Sequence, residues 1–155
     1  MARKPDLSIV LCKLPGPYAA THRITGRRYN SCLLMPSSNE YLPGQGISAH
    51  VENFRFGEPV CSLTLGNGDH MRFRELSAAH DGSVRSFKAN QAPRTGRKAD
   101  IWLPSGSLLV LRGKARYEWQ HEIVRSKKGR VGDNWRRVSL TFRAETRVSR
   151  KAEAP

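Results

Sequence analysis

Two histidines and a glutamate are the residues of this chain best suited to hold a metal ion. His50-Val51-Glu52 sets an imidazole and a carboxylate two positions apart. On a strand, residues i and i+2 point to the same face, so both groups could meet one ion. His121 lies on a later segment of strand character. Two imidazoles and one carboxylate leave coordination positions open on the metal, which suits Fe(II) and O2 chemistry. The plainer reading of His121 is an ordinary core or surface histidine.

Arg137 and Arg143 form a second constellation, bracketing Val138-Ser139-Leu140-Thr141-Phe142. Alternation puts Arg137, Ser139, Thr141 and Arg143 on one face of a strand and the apolar residues on the other. A cationic face that points inward needs an anion, because unpaired buried charge is costly. A dicarboxylate would offer two ends to pair. A cationic face that points outward would simply be the solvated side of an edge strand.

The elements that must position these groups are short. Strand character is found over residues 31–35, 47–52, 59–65, 70–73, 99–103, 107–111, 116–123 and 138–142. Gly66-Asn67-Gly68-Asp69 reads as a hairpin turn. Residues 74–98 read as a long basic loop with one strand at 83–87, and residues 126–133 as a second basic loop. Leu7-Ser8-Ile9-Val10-Leu11-Cys12 reads as a short helix, opened by Pro5-Asp6 and closed before Pro15-Gly16-Pro17. Many short strands with little helix, that little at the N-terminus, predict a barrel or two-sheet sandwich. A jelly roll is one such arrangement, and its mouth could hold a small cofactor.

Composition narrows the partners. The 155 residues predict one domain. The 27 Lys and Arg against 13 Asp and Glu leave a net charge of +14. That excess favours a polyanion such as nucleic acid, since neutralised phosphates release counterions. A basic surface kept for solubility is the alternative. No stretch reaches a transmembrane length and no basic amphipathic helix stands out, so no membrane partner is expected. Cys12, Cys32 and Cys61 lie far apart, without zinc or disulfide spacing. They fit a reduced compartment, nuclear or cytoplasmic.

The text around these residues is more specific. Asn39-Glu40-Tyr41-Leu42-Pro43-Gly44-Gln45-Gly46-Ile47-Ser48-Ala49-His50 resembles the segment leading to the first metal ligand of AlkB-like Fe(II)/2-oxoglutarate-dependent oxygenases. Pro59-Val60-Cys61-Ser62-Leu63-Thr64-Leu65-Gly66 and Met71-Arg72-Phe73 resemble the next two strands of that family. Leu103-Pro104-Ser105-Gly106-Ser107-Leu108-Leu109-Val110-Leu111-Arg112-Gly113 and Arg116-Tyr117-Glu118-Trp119-Gln120-His121-Glu122-Ile123 resemble the strands before and at the second histidine. Arg137 to Arg143 resembles the closing Arg-x5-Arg motif. The blocks follow family order over residues 29 to 143.

The resemblance implies a double-stranded β-helix, or jelly roll, with a core over 29–146. A short N-terminal segment over 1–28 would precede it and a disordered basic tail over 147–155 would follow. It implies that His50, Glu52 and His121 hold Fe(II). Arg137 would pair with the distal carboxylate of 2-oxoglutarate, aided by Asn39 and Tyr41, with Arg143 near its other end. The implied reaction turns 2-oxoglutarate into succinate and hydroxylates a C–H bond, commonly on an N-methyl group that then leaves as formaldehyde. The expected substrate is an N-alkylated base in nucleic acid, with Phe54 and Tyr29 as candidates to touch it. A protein substrate, or a degenerate basic binding module, are the alternatives.

Three departures from the family pattern stand out. Glu52 replaces the usual Asp and is longer by one methylene, roughly 1.5 Å. Glu122 stands where close relatives often carry a small residue. Met35-Pro36-Ser37-Ser38 interrupts the strand that should run into Asn39, since Pro36 has no ladder donor.

Overall fold

The structure, a computed structural model, describes residues 9–13, 34–79 and 92–145. Nine strands and one short helix occur among them. The strands are β1 (Ile9–Lys13), β2 (Leu34–Tyr41), β3 (Ile47–His50), β4 (Phe56–Gly66), β5 (Asp69–Leu76), β6 (Arg94–Leu103), β7 (Ser107–Leu111), β8 (Trp119–Ile123) and β9 (Arg137–Glu145). The helix is α1 (Gly113–Tyr117). One sheet has the order β1-β7-β4-β9-β2 and the other β3-β8-β5-β6. All pairings are antiparallel.

The two sheets pack face to face as a double-stranded β-helix. Tyr41, Val60, Leu109 and Leu111 come from the first sheet, and Met71, Phe73, Leu103, Trp119 and Ile123 from the second. The expected mostly-β jelly roll is therefore what the chain forms. No helix of the described residues is long and apolar enough to cross a membrane.

Several local expectations are corrected. The apolar run read as an N-terminal helix forms β1 at Ile9–Lys13 instead, paired with β7. The β-branched pair Ile9-Val10 suits a strand, and a partner distant in sequence supplies the ladder. The helix sits later, where residues 116–123 were expected to be all strand. Gly113, at φ +46, turns the chain out of β7 into α1, and β8 begins only at Trp119. The turn at Gly66–Asp69 is real but joins no hairpin: β4 belongs to the first sheet and β5 to the second. It is a corner between sheets, and Pro104-Ser105-Gly106 makes the reverse crossing from β6 to β7. The basic loop over 74–98 is shorter than expected, since β5 runs to Leu76 and β6 starts at Arg94.

Pro36 does not interrupt its strand. β2 runs unbroken from Leu34 to Tyr41, with Pro36 opposite Phe142. Among the described residues it is an edge strand, whose open side tolerates a residue without a donor. Asn39 and Tyr41 thus keep a fixed register, opposite Ser139 and Arg137. The strand expected at 83–87, the tail and Tyr29 lie outside the described residues.

Gly46 sets the approach of β3 to β8. A Cβ there would lie 2.2 Å from the Ile123 carbonyl oxygen and 3.0 Å from the Arg125 nitrogen. Gly46→Ala must push the two strands apart. We expect it to destabilise the fold by about 1–3 kcal/mol. It should also weaken metal binding, because the same pairing aligns the two histidines. Thermal melting and metal titration of the variant test this.

Candidate metal centre

Strand register brings the two histidines together. His50 on β3 lies directly opposite His121 on β8, and the ring centroids are 4.4 Å apart. The Glu52 Oε1 stands 3.6 Å from His121 Nε2 and 4.0 Å from His50 Nε2. One ligand atom from each of the three residues falls within 4.8 Å of the others. His50 Nδ1 lies 2.7 Å from the Ser48 carbonyl. Donating a proton there leaves Nε2 bare towards the centre, as a metal ligand requires. Burial, and then the neighbouring His121, push His50 down to about 4. It is therefore neutral at pH 7, the form that binds a metal.

Glu52 reaches the centre by a different route from the one its spacing implied. β3 ends at His50, and residues 51–53 lie off the strand. Strand alternation therefore does not aim the carboxylate. Two arginines do. Arg116, 1% exposed at α1, donates to the backbone carbonyls of Glu52 at 2.9 Å, Asn53 at 2.9 Å and Phe56 at 3.0 Å. Arg143 grips the carboxylate itself, with Nε to Oε2 at 2.6 Å and an Nη nitrogen to Oε1 at 3.2 Å. Burial pushes the Glu52 carboxyl up, but the neighbouring His121 and the Arg143 guanidinium outweigh it and hold the group well below the usual range. Arg143 also donates to Ser37 Oγ. These contacts absorb the longer side chain, because the loop rather than the pleat sets its reach.

A second group of side chains shares this cleft. Arg137 is 1% exposed, and its hydrogen bond reaches Thr64 Oγ1 at 3.1 Å. Its Nε is buried without a partner. The guanidinium lies 5.3 Å from the Tyr41 ring centroid. Asp69 acts on it through space but is itself bound by Arg130 at 2.7 Å. No carboxylate among the described residues pairs with Arg137. Burial pushes its guanidinium down and the Tyr41 phenol up. A buried cation with an idle donor is a site built for an anion.

The face around Arg137 is inverted relative to a usual sheet. Ser62, Thr64, Arg137, Ser139 and Thr141 are buried, while Leu63, Val138, Leu140 and Phe142 on the opposite side are only half-buried. Ser62 and Ser139 hydroxyls bond each other at 2.8 Å. The cationic face of the Arg137–Arg143 strand therefore points inward, as an anion site requires. His50, Glu52, His121, Asn39, Tyr41, Arg137 and Arg143 all line one cleft. Spacing singled out the two histidines, Glu52 and the two arginines, and the family resemblance added Asn39 and Tyr41; neither marked Arg116 or Thr64. For Thr64 the signal was there, since hydroxyls alternate with leucines along β4. For Arg116 the only signal was a cation set between Ala115 and Tyr117.

The remaining candidates stand elsewhere. Phe54 is half-buried against Tyr117 at 5.7 Å, with Arg116 at 5.5 Å from its ring, and does not line the cleft. Glu122 faces outward and pairs with Arg74 at 2.6 Å, so it does not crowd His121. In the basic loop, Arg130 is buried on Asp69, whereas Arg125, Lys127 and Lys128 are exposed.

This geometry gives the chain two histidines and one carboxylate placed as a candidate metal set, beside a buried, unpaired arginine. The family model described as 2OG-Fe(II) oxygenase superfamily matches residues 5–143, and the chain belongs to that superfamily of dioxygenases, whose cofactors are Fe(II) and 2-oxoglutarate. Within it the chain is AlkB-like. It is 36% identical over 117 residues to the "Alkylated DNA repair protein ALKBH8 homolog" of Arabidopsis thaliana, covering 68% of this chain and 32% of that one. It is 33% identical over 109 residues to the "Alpha-ketoglutarate-dependent dioxygenase alkB homolog 7, mitochondrial" of Bos taurus, covering 66% and 42%. It is 33% identical over 87 residues to the "tRNA (carboxymethyluridine(34)-5-O)-methyltransferase ALKBH8" of Macaca fascicularis, covering 56% and 10%. The chain thus spans less than half the length of these relatives.

Proposed function

We propose that this chain is a working Fe(II)/2-oxoglutarate-dependent dioxygenase that oxidatively demethylates N-alkylated bases in nucleic acid. The observation that carries the chemistry is Arg137, a buried guanidinium with no carboxylate partner among the described residues, in the same cleft as His50, Glu52 and His121. The donor set fits the cofactors: neutral imidazole and carboxylate suit Fe(II), and the arginine suits one carboxylate of a dicarboxylate. The substrate class rests on the net charge of +14 and on relatives named for alkylated DNA repair and for tRNA.

In this reading His50, Glu52 and His121 hold the iron. Arg137, with Thr64 and Tyr41 beside it, pairs with the distal carboxylate, and Asn39 lies at the mouth. When bound, iron and 2-oxoglutarate supply the oxidising power: one O2 is consumed, 2-oxoglutarate becomes succinate and CO2, and a substrate C–H becomes C–OH. Arg143 keeps the Glu52 carboxylate ionised and oriented. Val60, Leu109, Leu111 and Met71 make the apolar walls that exclude water. The inner space measures about 40 Å3, room for a few waters. Asn39, Tyr41 and Ile47 line both it and the outer groove that contains Arg125. Arg125 and Lys127, exposed at the mouth, can contact phosphates and position a strand.

The test is succinate formation from 2-oxoglutarate with anaerobically added Fe(II), wild type against His121→Ala, with and without methylated oligonucleotides. We expect iron-dependent turnover that His121→Ala abolishes and that a methylated oligonucleotide stimulates, with release of formaldehyde. Turnover stimulated only by protein would move the substrate to that class. A folded protein that neither binds iron nor turns over would leave a degenerate binding module.

A further inference from the structure

The outer face of the second sheet carries a groove on the side away from the metal centre. The β5–β6 register sets His70 opposite Trp102, Arg72 opposite Asp100 and Arg74 opposite Lys98. Alternation turns these side chains away from the core face made by Met71, Phe73 and Leu103. The groove measures about 500 Å3, and Gly68, His70, Arg72, Trp102, Val124 and Lys128 line it. That is within the range of small-ligand sites.

Its centre is an indole held open to solvent. Trp102 is 50% exposed, and its ring lies 4.8 Å from that of His70, tilted by 56°. Gly68 makes room for it, since a Cβ there would fall 2.6 Å from the indole. Val124 adds a second exposed apolar side chain. A large aromatic residue left half in water on an edge strand is not explained by packing.

The surrounding acids are already engaged. Arg72 takes Asp100 with two hydrogen bonds of 2.8 Å. Arg130 takes Asp69 at 2.7 Å, and Arg74 takes Glu122 at 2.6 Å. Lys98 stands across from Arg74, a like-charge pairing that destabilises a sheet. No carboxylate among the described residues pairs with Lys98 or Lys128. An exposed ring with the uncompensated Lys128 in its groove, and the uncompensated Lys98 further along the same face of β6, matches an unpaired nucleobase in a strand whose phosphates run along that face. An acidic peptide would use the cations and leave the indole without a stacking partner.

We propose that this groove is a second nucleic-acid site, where a base of a single strand stacks on Trp102, a neighbouring phosphate pairs with Lys128, and a phosphate further along the strand pairs with Lys98 on the same face of β6. The inference rests on the nucleic-acid part of the function proposed above and not on turnover. It would hold one stretch of a strand on the outer face while another enters the metal cleft.

Binding of a fluorescein-labelled, unmodified oligouridylate, followed by anisotropy over a range of salt, tests it in wild type, Trp102→Ala, Trp102→Phe and the Lys98→Ala/Lys128→Ala double variant. Trp102→Ala should weaken binding by about tenfold, while Trp102→Phe keeps most of it. The double variant should flatten the log–log salt dependence by about 1.4. Wild-type binding that survives both Trp102→Ala and the double variant overturns the groove site and leaves the proposed function standing. No wild-type binding at low salt overturns the groove site and the nucleic-acid part of the proposed function, and leaves its iron chemistry untouched. A loss in Trp102→Phe equal to that in Trp102→Ala overturns stacking, as does displacement by polyglutamate but not by unlabelled oligouridylate.

Discussion

Arg137→Met is expected to raise the melting temperature of the protein without ligand and to abolish its response to 2-oxoglutarate. In the ligand-free protein Arg137 is 1% exposed, bonded to Thr64 at 3.1 Å and left with an idle Nε. A buried cation without a carboxylate opposes folding, and an apolar replacement of similar length can stabilise by about 1–4 kcal/mol. For a chain of this size each kcal/mol moves the melting temperature by about 2–4 °C. Wild type should gain about 2.7 kcal/mol when 2-oxoglutarate is present at a hundred times its Kd, and the variant nothing. Losing the buried partner of a charge pair costs about 2–5 kcal/mol, so the KM for 2-oxoglutarate should rise by about two orders of magnitude or more. Arg137→Lys should fall between, since an ammonium keeps the charge and loses the fork. Melting curves with and without 2-oxoglutarate settle the matter. A variant that melts lower than wild type, yet still gains from 2-oxoglutarate, would make Arg137 a structural residue.

This opposition between folding and binding was partly legible in the sequence. The strand from Arg137 to Arg143 alternates cleanly, and alternation reports which residues share a face. It cannot report which face is inside. Leu140 and Phe142 would ordinarily be taken for the core side, and the structure buries Ser139 and Thr141 instead. Only the pairing of cations with hydroxyls on one face argued for an internal anion site. The convergence of His50 with His121 needed the register of β3 on β8, which no local pattern contains. The same limit explains the misread corner at Gly66–Asp69. Turn chemistry is local and was recognised, but whether a turn closes a hairpin or crosses between sheets depends on partners far along the chain. β1 was missed for that reason too, since among the described residues its ladder is made by β7, far along the chain. The Glu52 case differs in kind. The spacing of His50 and Glu52 pointed to two side chains that the structure does bring together, but for an incomplete reason, because Glu52 lies beyond the strand and is aimed by Arg116 and Arg143.

Arg116 carries the second large prediction. It joins the two halves of the candidate metal centre: α1 leads directly into the strand bearing His121, and the guanidinium holds the loop bearing Glu52. Three backbone carbonyls, of Glu52, Asn53 and Phe56, accept from it within 3.0 Å, and the Tyr117 ring centroid lies 4.9 Å from its guanidinium carbon. Arg116→Ala leaves those carbonyls without their donor, at about 1–3 kcal/mol for each that stays dry. Some will find water, so a net loss of about 3–5 kcal/mol is expected, a large share of the 5–15 kcal/mol typical of a domain. The melting temperature should fall by roughly 10 °C. Loosening Glu52 should also lower iron affinity by about 10–100-fold, the range for groups that orient a metal ligand. Arg116→Lys can satisfy part of the carbonyl cluster and should recover part of both losses. The readout that separates positioning from mere stability is iron titration at a temperature where wild type and Arg116→Lys are both fully folded. Weaker iron binding there, with His50 and His121 still opposed, means that the arginine acts on the centre through the Glu52 loop. Equal iron affinity would reduce Arg116 to a buried support of the fold.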